Sequence, residues 1–115
     1  MKFKLIFALA KDEFTNDLLN AAREAGATGS TVISHAQGEG VEKVKTFLGI
    51  SLEEQSDLLL FLVEEHLSRS IMEALEKVGH MQDKRTGIAF QMDVEDAVGV
   101  SHQIEELTPV VDELM

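Results

Sequence analysis

The chain has no cysteine and no tyrosine, a single proline, and only 10 lysines and arginines among 115 residues. Without cysteine there is no disulfide frame, no thiolate nucleophile and no cysteine-based zinc site, a composition that suits a reducing cytoplasm. No apolar run reaches the ~20 residues that a membrane span needs. The N-terminus alternates lysine with large apolar residues and carries neither an apolar h-region nor a small-residue cleavage site. The expected location is cytoplasmic, without direct membrane insertion. The shortage of cations excludes a further class. Set against 21 acidic side chains it leaves a formal charge of −11, a field that repels phosphate backbones and anionic lipid, so nucleic acid is not an expected partner. Four of the cations, Lys43, Lys45, Lys84 and Arg85, fall in two segments that read as loops, where small anions can still be held.

What is present is one pattern written twice. Phe3 to Leu9 is a strand-sized apolar run, Glu13 to Ala25 an amphipathic stretch, Gly26 a stop, and Thr31 to Ala36 a second strand. Leu58 to Val63, His66 to Val78, Gly79 and Gly87 to Val94 repeat it. In the first helix Phe14, Leu18, Ala21, Ala22 and Ala25 share a face, and in the second Leu67, Ile71, Leu75 and Val78 do, the spacing of helices laid on a sheet. Two such halves predict a single sandwich domain over residues 1–115. Thr108 before the lone Pro109 reads as an N-cap with proline at the first helical position, predicting a short C-terminal helix over about 108–115.

The strands lack a polar side. Phe3, Leu5, Phe7 and Leu9 fill one face of the first, while Ile6, Ala8 and Ala10 make the other mostly apolar as well. Leu58 to Val63 has no polar residue at all. Helices on one side leave such a sheet with a second apolar face to cover, and a partner subunit is the expected cover. Two loops stand out. Val41 to Ser56 follows Gly38-Glu39-Gly40 and is too irregular for a helix and too long for a turn, a length that favours function. His80 to Gly87 ends in Lys84-Arg85-Thr86-Gly87, two cations, a hydroxyl and a permissive backbone, the groups that hold phosphate oxygens.

Gly26-Ala27-Thr28-Gly29-Ser30-Thr31-Val32, then Gly38-Glu39-Gly40, the strand Leu59 to Glu64 leading into a helix, and Thr86-Gly87-Ile88-Ala89-Phe90 with Asp93-Val94 and Val98 together resemble the PII family of signalling proteins over about residues 3–101. The resemblance implies an α+β fold, the ferredoxin-like βαββαβ sandwich with an antiparallel sheet and an extra C-terminal helix, assembled as a homotrimer through its sheets. It implies that about 38–57 is the family's T-loop and about 80–87 its phosphate loop. It further implies an adenine nucleotide effector, ADP, ATP, AMP or a relative, in clefts between subunits, with no obligatory cofactor. The implied nucleotide-binding positions are Thr31, Gly38 and Gly40 at the T-loop base, Phe61, Leu62 and Val63 along the adenine edge, and Gly87 in the phosphate loop beside Lys84, Arg85 and Thr86. Lys43, Lys45, Phe47 and Leu48 would meet a target protein, such as a membrane transporter or an enzyme.

The chain departs from the family at three cations: Ile88, Gly99 and Ser101 stand where members place a lysine and two arginines, and with no tyrosine no T-loop tyrosine can be uridylylated. His35, His66, His80 and His102 have no metal-ligand spacing, and the acid pairs Glu53-Glu54, Glu64-Glu65 and Glu105-Glu106 read as solvated element ends rather than an acid/base pair. No catalytic residue is expected. Besides the small-molecule-sensing regulator, the other class left open is a ferredoxin-like trimer that binds metal ions or serves as an interaction scaffold.

Overall fold

Strand β1 (Phe3–Lys11) runs through the middle of the main sheet of the computed structural model, which describes residues 1–34, 46–47, 50–51, 56–82 and 87–114. A 3-10 turn (Asp12–Phe14), α1 (Thr15–Glu24), β2 (Thr31–Ser34), a ribbon of β3 (Thr46–Phe47) and β4 (Ile50–Ser51), β5 (Ser56–Glu64), α2 (Ser68–Val78), β6 (Gly87–Val94) and α3 (Ser101–Leu114) follow. The strand order is β2-β5-β1-β6, and every neighbouring pair is antiparallel. Each half is thus a split βαβ unit with a strand of the other half inserted, which is the ferredoxin-like α+β sandwich with one added helix.

One face of the sheet carries the core. Ile6, Ala8 and Ala10 of β1 stand with Leu59, Phe61 and Val63 of β5 on the side that α1 covers with Leu18 and Ala22 and α2 with Ile71 and Leu75. These side chains are buried, and each large one stabilises the fold by roughly 1.5–3 kcal/mol. Alternation sends Leu5, Phe7, Leu9, Leu58, Leu60, Leu62, Ile88, Phe90 and Met92 to the other face. Of these nine Leu62 packs against the core cluster and Leu9 is buried outside it. Phe7 and Phe90 stack with centroids 4.6 Å apart, and Met92 and the β2 residue Ile33 are exposed. The two-sided strands of the sequence are two-sided in space.

Both helices end in the same hydrogen-bonded turn. Gly26 N–H donates to the Arg23 carbonyl and Ala27 N–H to the Ala22 carbonyl; after α2, His80 N–H donates to the Lys77 carbonyl and Met81 N–H to the Glu76 carbonyl. These are the paired bonds of a Schellman motif. In the first, Gly26 takes the left-handed conformation, with φ 118°; in the second it is His80, with φ 51°. Gly79, expected to make that stop by its conformation, is a glycine for lack of space: a Cβ there would lie 3.0 Å from the Leu75 carbonyl oxygen and 3.2 Å from Leu18 Cδ2.

Element starts differ from the expected ones for local reasons. Pairing of β1 with β5 continues to Lys11, and the 3-10 turn delays α1 to Thr15. Helix α2 starts at Ser68 because the Glu64 carboxylate accepts from the His66 N–H at 2.7 Å and lies 2.8 Å from His66 Nδ1, holding residues 65–67 in a turn. Glu64, expected as a solvated helix end, is 1% exposed. The C-terminal helix is longer than 108–115: Pro109 lies inside α3, and Thr108 is not its cap, since its Oγ1 donates to the Ile104 carbonyl at 2.6 Å within the helix. Leu107 and Val111 hold α3 in the buried cluster that includes Phe3.

Candidate functional site

The edge of β5 beyond the short strand β2 is the most distinctive candidate site. The Glu65 N–H donates to the Lys2 carbonyl at 3.0 Å, which continues the β1–β5 register and fixes its parity. Residues of an antiparallel pair alternate between exchanging two hydrogen bonds and none, so Val63, Phe61, Leu59 and Asp57 turn their backbone groups to β1, and Leu58, Leu60, Leu62 and Glu64 turn theirs toward β2. Strand β2 begins at Thr31, opposite Leu60. The N–H and C=O of Leu62 therefore face past the end of β2, and no strand among the described residues pairs with them. A donor and an acceptor side by side on an exposed edge match the edge of a planar heterocycle.

The sequence-predicted residues divide accordingly. Leu62 offers its backbone, whereas the side chains of Phe61 and Val63 are buried in the core. Thr31 is exposed at the first position of β2. Next to it Leu19, Arg23, Ala27, Thr28, Gly29, Ser30 and Phe61 line a cleft of about 100 Å³, and Thr28 Oγ1 is buried there with no hydrogen-bond partner among the described residues. Arg23, Thr28 and Ser30 were not singled out from the sequence, although the run of turn formers from Gly26 to Thr31 marked the corner that presents them. Gly87 opens β6, where a Cβ would fall 2.8 Å from the Leu9 carbonyl oxygen and 3.3 Å from Ala10 Cβ; it is small because it packs on β1. It also lines a cleft of about 210 Å³ between α2 and β6, with Arg69, Glu73, Glu76 and Gln82. Gly38, Gly40, Lys43, Lys45, Leu48, Lys84, Arg85 and Thr86 lie outside the described residues, and of Phe47 only the backbone, in β3, is described.

One protomer does not bring the two corners together. Thr31 aligns across the sheet with Leu60, Phe7 and Phe90, and Gly87 lies three residues from Phe90 on the opposite edge strand. Three strand spacings sideways and three residues along separate the corners by ~17 Å. A pocket that used both would need two copies of the chain.

The three departures from the family have places in the fold. Ile88 belongs to the second sheet face, Gly99 takes φ 80° in the link to α3, and Ser101 is the first residue of that helix. Among the histidines, His35 is outside the described residues, His66 is held by Glu64, and His102 Nε2 lies 3.0 Å from Glu106. Among the described residues no three histidine or carboxylate side chains are grouped as metal ligands, and no helix is long and apolar enough to cross a membrane.

Residues 3–103 match the family model described as nitrogen regulatory protein P-II. No curated protein sequence matches. Among solved structures the chain is similar to a protein of Thermus thermophilus described as a PII-like signalling protein, with TM-score 0.58 and 23% identity over 82% of this chain and 87% of that one. It is also similar to CPII of Thiomonas intermedia in complex with ADP, AMP and acetate, with TM-score 0.62 and 15% identity over 86% and 92%, and to the apo form of the same protein, with TM-score 0.60 and 15% identity over 82% and 90%. At these identities the likeness is one of fold.

Proposed function

The chain belongs to the nitrogen regulatory protein P-II family, and on that premise we propose that it is a regulatory protein, not an enzyme, whose effector is an adenine nucleotide bound between protomers of a homotrimer. The observation that carries this reading is the backbone edge of Leu62, unpaired by any strand among the described residues, beside the Thr28–Thr31 corner and on the opposite side of the sheet from Gly87. The Leu62 N–H and C=O would read the adenine edge, Phe61 would wall the cleft behind it, and Thr28, Ser30 and Thr31 would offer hydroxyls. The corner at Gly87, with Lys84, Arg85 and Thr86 before it, would come from the neighbouring protomer to hold phosphate. Adenine nucleotides occupy the CPII complex named above, which supports this ligand class. The apolar second face of the sheet supports self-association. Residues 38–55, which precede β5, would change shape with the nucleotide and contact a target protein through Lys43, Lys45, Phe47 and Leu48, such as a transporter or an enzyme in the cytoplasm.

Calorimetric titration of the full chain with AMP, ADP and ATP tests the reading, with one nucleotide bound per protomer expected. Leu62→Pro removes the N–H that faces the open edge without deleting a bond to β1. It is expected to weaken nucleotide binding at least tenfold while the protein keeps its circular dichroism spectrum. Binding of none of the three nucleotides to the wild type, or full binding by a folded Leu62→Pro variant, would overturn it.

A further inference from the structure

Four residues at the loop-bearing end of the sheet lie in one row across it. Ser34 of β2 faces Asp57 of β5, Asp57 faces Ala10 of β1, and Ala10 faces Gly87 of β6. Asp57 thus sits one strand in from the edge strand β2, opposite its last residue Ser34, and ~10 Å from Gly87. It is 7% exposed, and its Oδ2 accepts a hydrogen bond of 2.6 Å from Thr15 Oγ1. A hydroxyl is a neutral donor, so that bond orients the carboxylate without cancelling its charge. The charged side chains that follow from the end of β1 into α1 are Lys11, Asp12, Glu13 and Asp17, three of the four negative. Salt screens a buried charge much less than a surface one.

Resting on the nucleotide reading above, we propose that Asp57 is a specificity-determining residue that makes the cleft prefer adenine nucleotides of low phosphate charge, the monophosphate ahead of the triphosphate. A unit negative charge ~10 Å away weakens binding by roughly 2-fold per ligand charge in a water-like dielectric and roughly 15-fold at an effective dielectric of ~20. At neutral pH the triphosphate carries about two charges more than the monophosphate, and each is felt from the wall that brings Gly87, because every protomer holds its Asp57 in the same row across the sheet as its Gly87.

The test compares dissociation constants for AMP, ADP and ATP. The wild type is expected to weaken along that series. Asp57→Asn keeps the shape and an oxygen for Thr15 while removing the charge, and is expected to lower the ATP-to-AMP ratio of dissociation constants at least fivefold, mainly through tighter ATP. Thr15→Val removes the hydrogen bond and keeps the charge; it is expected to lower the melting temperature and leave the ratio where it was, which separates charge from structural support. A wild type that binds ATP as tightly as AMP, or an Asp57→Asn protein with an unmoved ratio, overturns the inference and leaves the nucleotide reading standing. Binding of none of the three removes both.

Discussion

His80 and Gly26 occupy the same position of two equivalent turns, yet only one of them is the residue that a left-handed backbone favours. A side chain with φ 51° costs about 1 kcal/mol relative to glycine. The His80 ring tilts against Phe14 with centroids 5.8 Å apart, a contact from the end of α2 to the turn that starts α1. His80→Ala loses this contact and keeps the strained backbone, whereas His80→Gly loses the contact and relieves the strain. The glycine variant should therefore be the more stable of the two by about 1 kcal/mol, read from urea midpoints at equal slope; equal stabilities would mean that the turn relaxes without cost. The glycine of the repeat was legible in the sequence, but its role was not. Gly79 looks like the counterpart of Gly26, and only the 3.0 Å approach to the Leu75 carbonyl shows that space, not conformation, selects it. Leu62 is a similar case. An apolar strand reveals nothing about which residue turns its backbone outward, because that depends on a register set by pairing far along the chain.

At the scale of elements, the sheet and the two amphipathic helices could be read from periodicity, since a buried stripe needs residues three and four apart whatever surrounds it. The ends could not. Glu64 and His66 hold each other across the start of α2, and Thr15 binds Asp57 across 42 positions of sequence. Helix α3 departs furthest from its sequence signals, because Thr-Pro is a good start signal and the buried Leu107 and Val111 that draw the helix through it are tertiary in origin. Within α3, Pro109 supplies no N–H to the Glu105 carbonyl and crowds it. Pro109→Ala is expected to stabilise the protein by about 1–3 kcal/mol, less any relief already gained by local bending, and to slow hydrogen exchange across residues 104–112. No gain in either measurement would show that the helix accommodates the proline fully.

For the whole molecule, the question is what covers the second face of the sheet. Nine apolar side chains from three strands lie there, and apart from Leu62, which packs against the core cluster, and the buried Leu9, seven are open at least in part and separate from it. Such a patch is far larger than a lone surface residue and is the kind of surface that the proposed trimer would cover. Charge acts against the proposed association, since three copies of −11 give −33, and the apolar face would have to outweigh a repulsion that salt weakens. Leu60 sits in the middle of this face, opposite Phe7 and next to Thr31. Leu60→Glu places a carboxylate where, in the proposed trimer, it would be buried between apolar sheet faces, a cost of several kcal/mol. In a lone protomer the same side chain is only half-buried and reaches water. The expected outcome by light scattering is a threefold drop in mass with the helical circular dichroism retained, and loss of nucleotide binding with it, because Leu62 and Gly87 would no longer meet across a subunit boundary. A Leu60→Glu protein of undiminished mass would place the interface elsewhere on the molecule, and a monomeric one that still binds nucleotide would confine the whole pocket to a single chain.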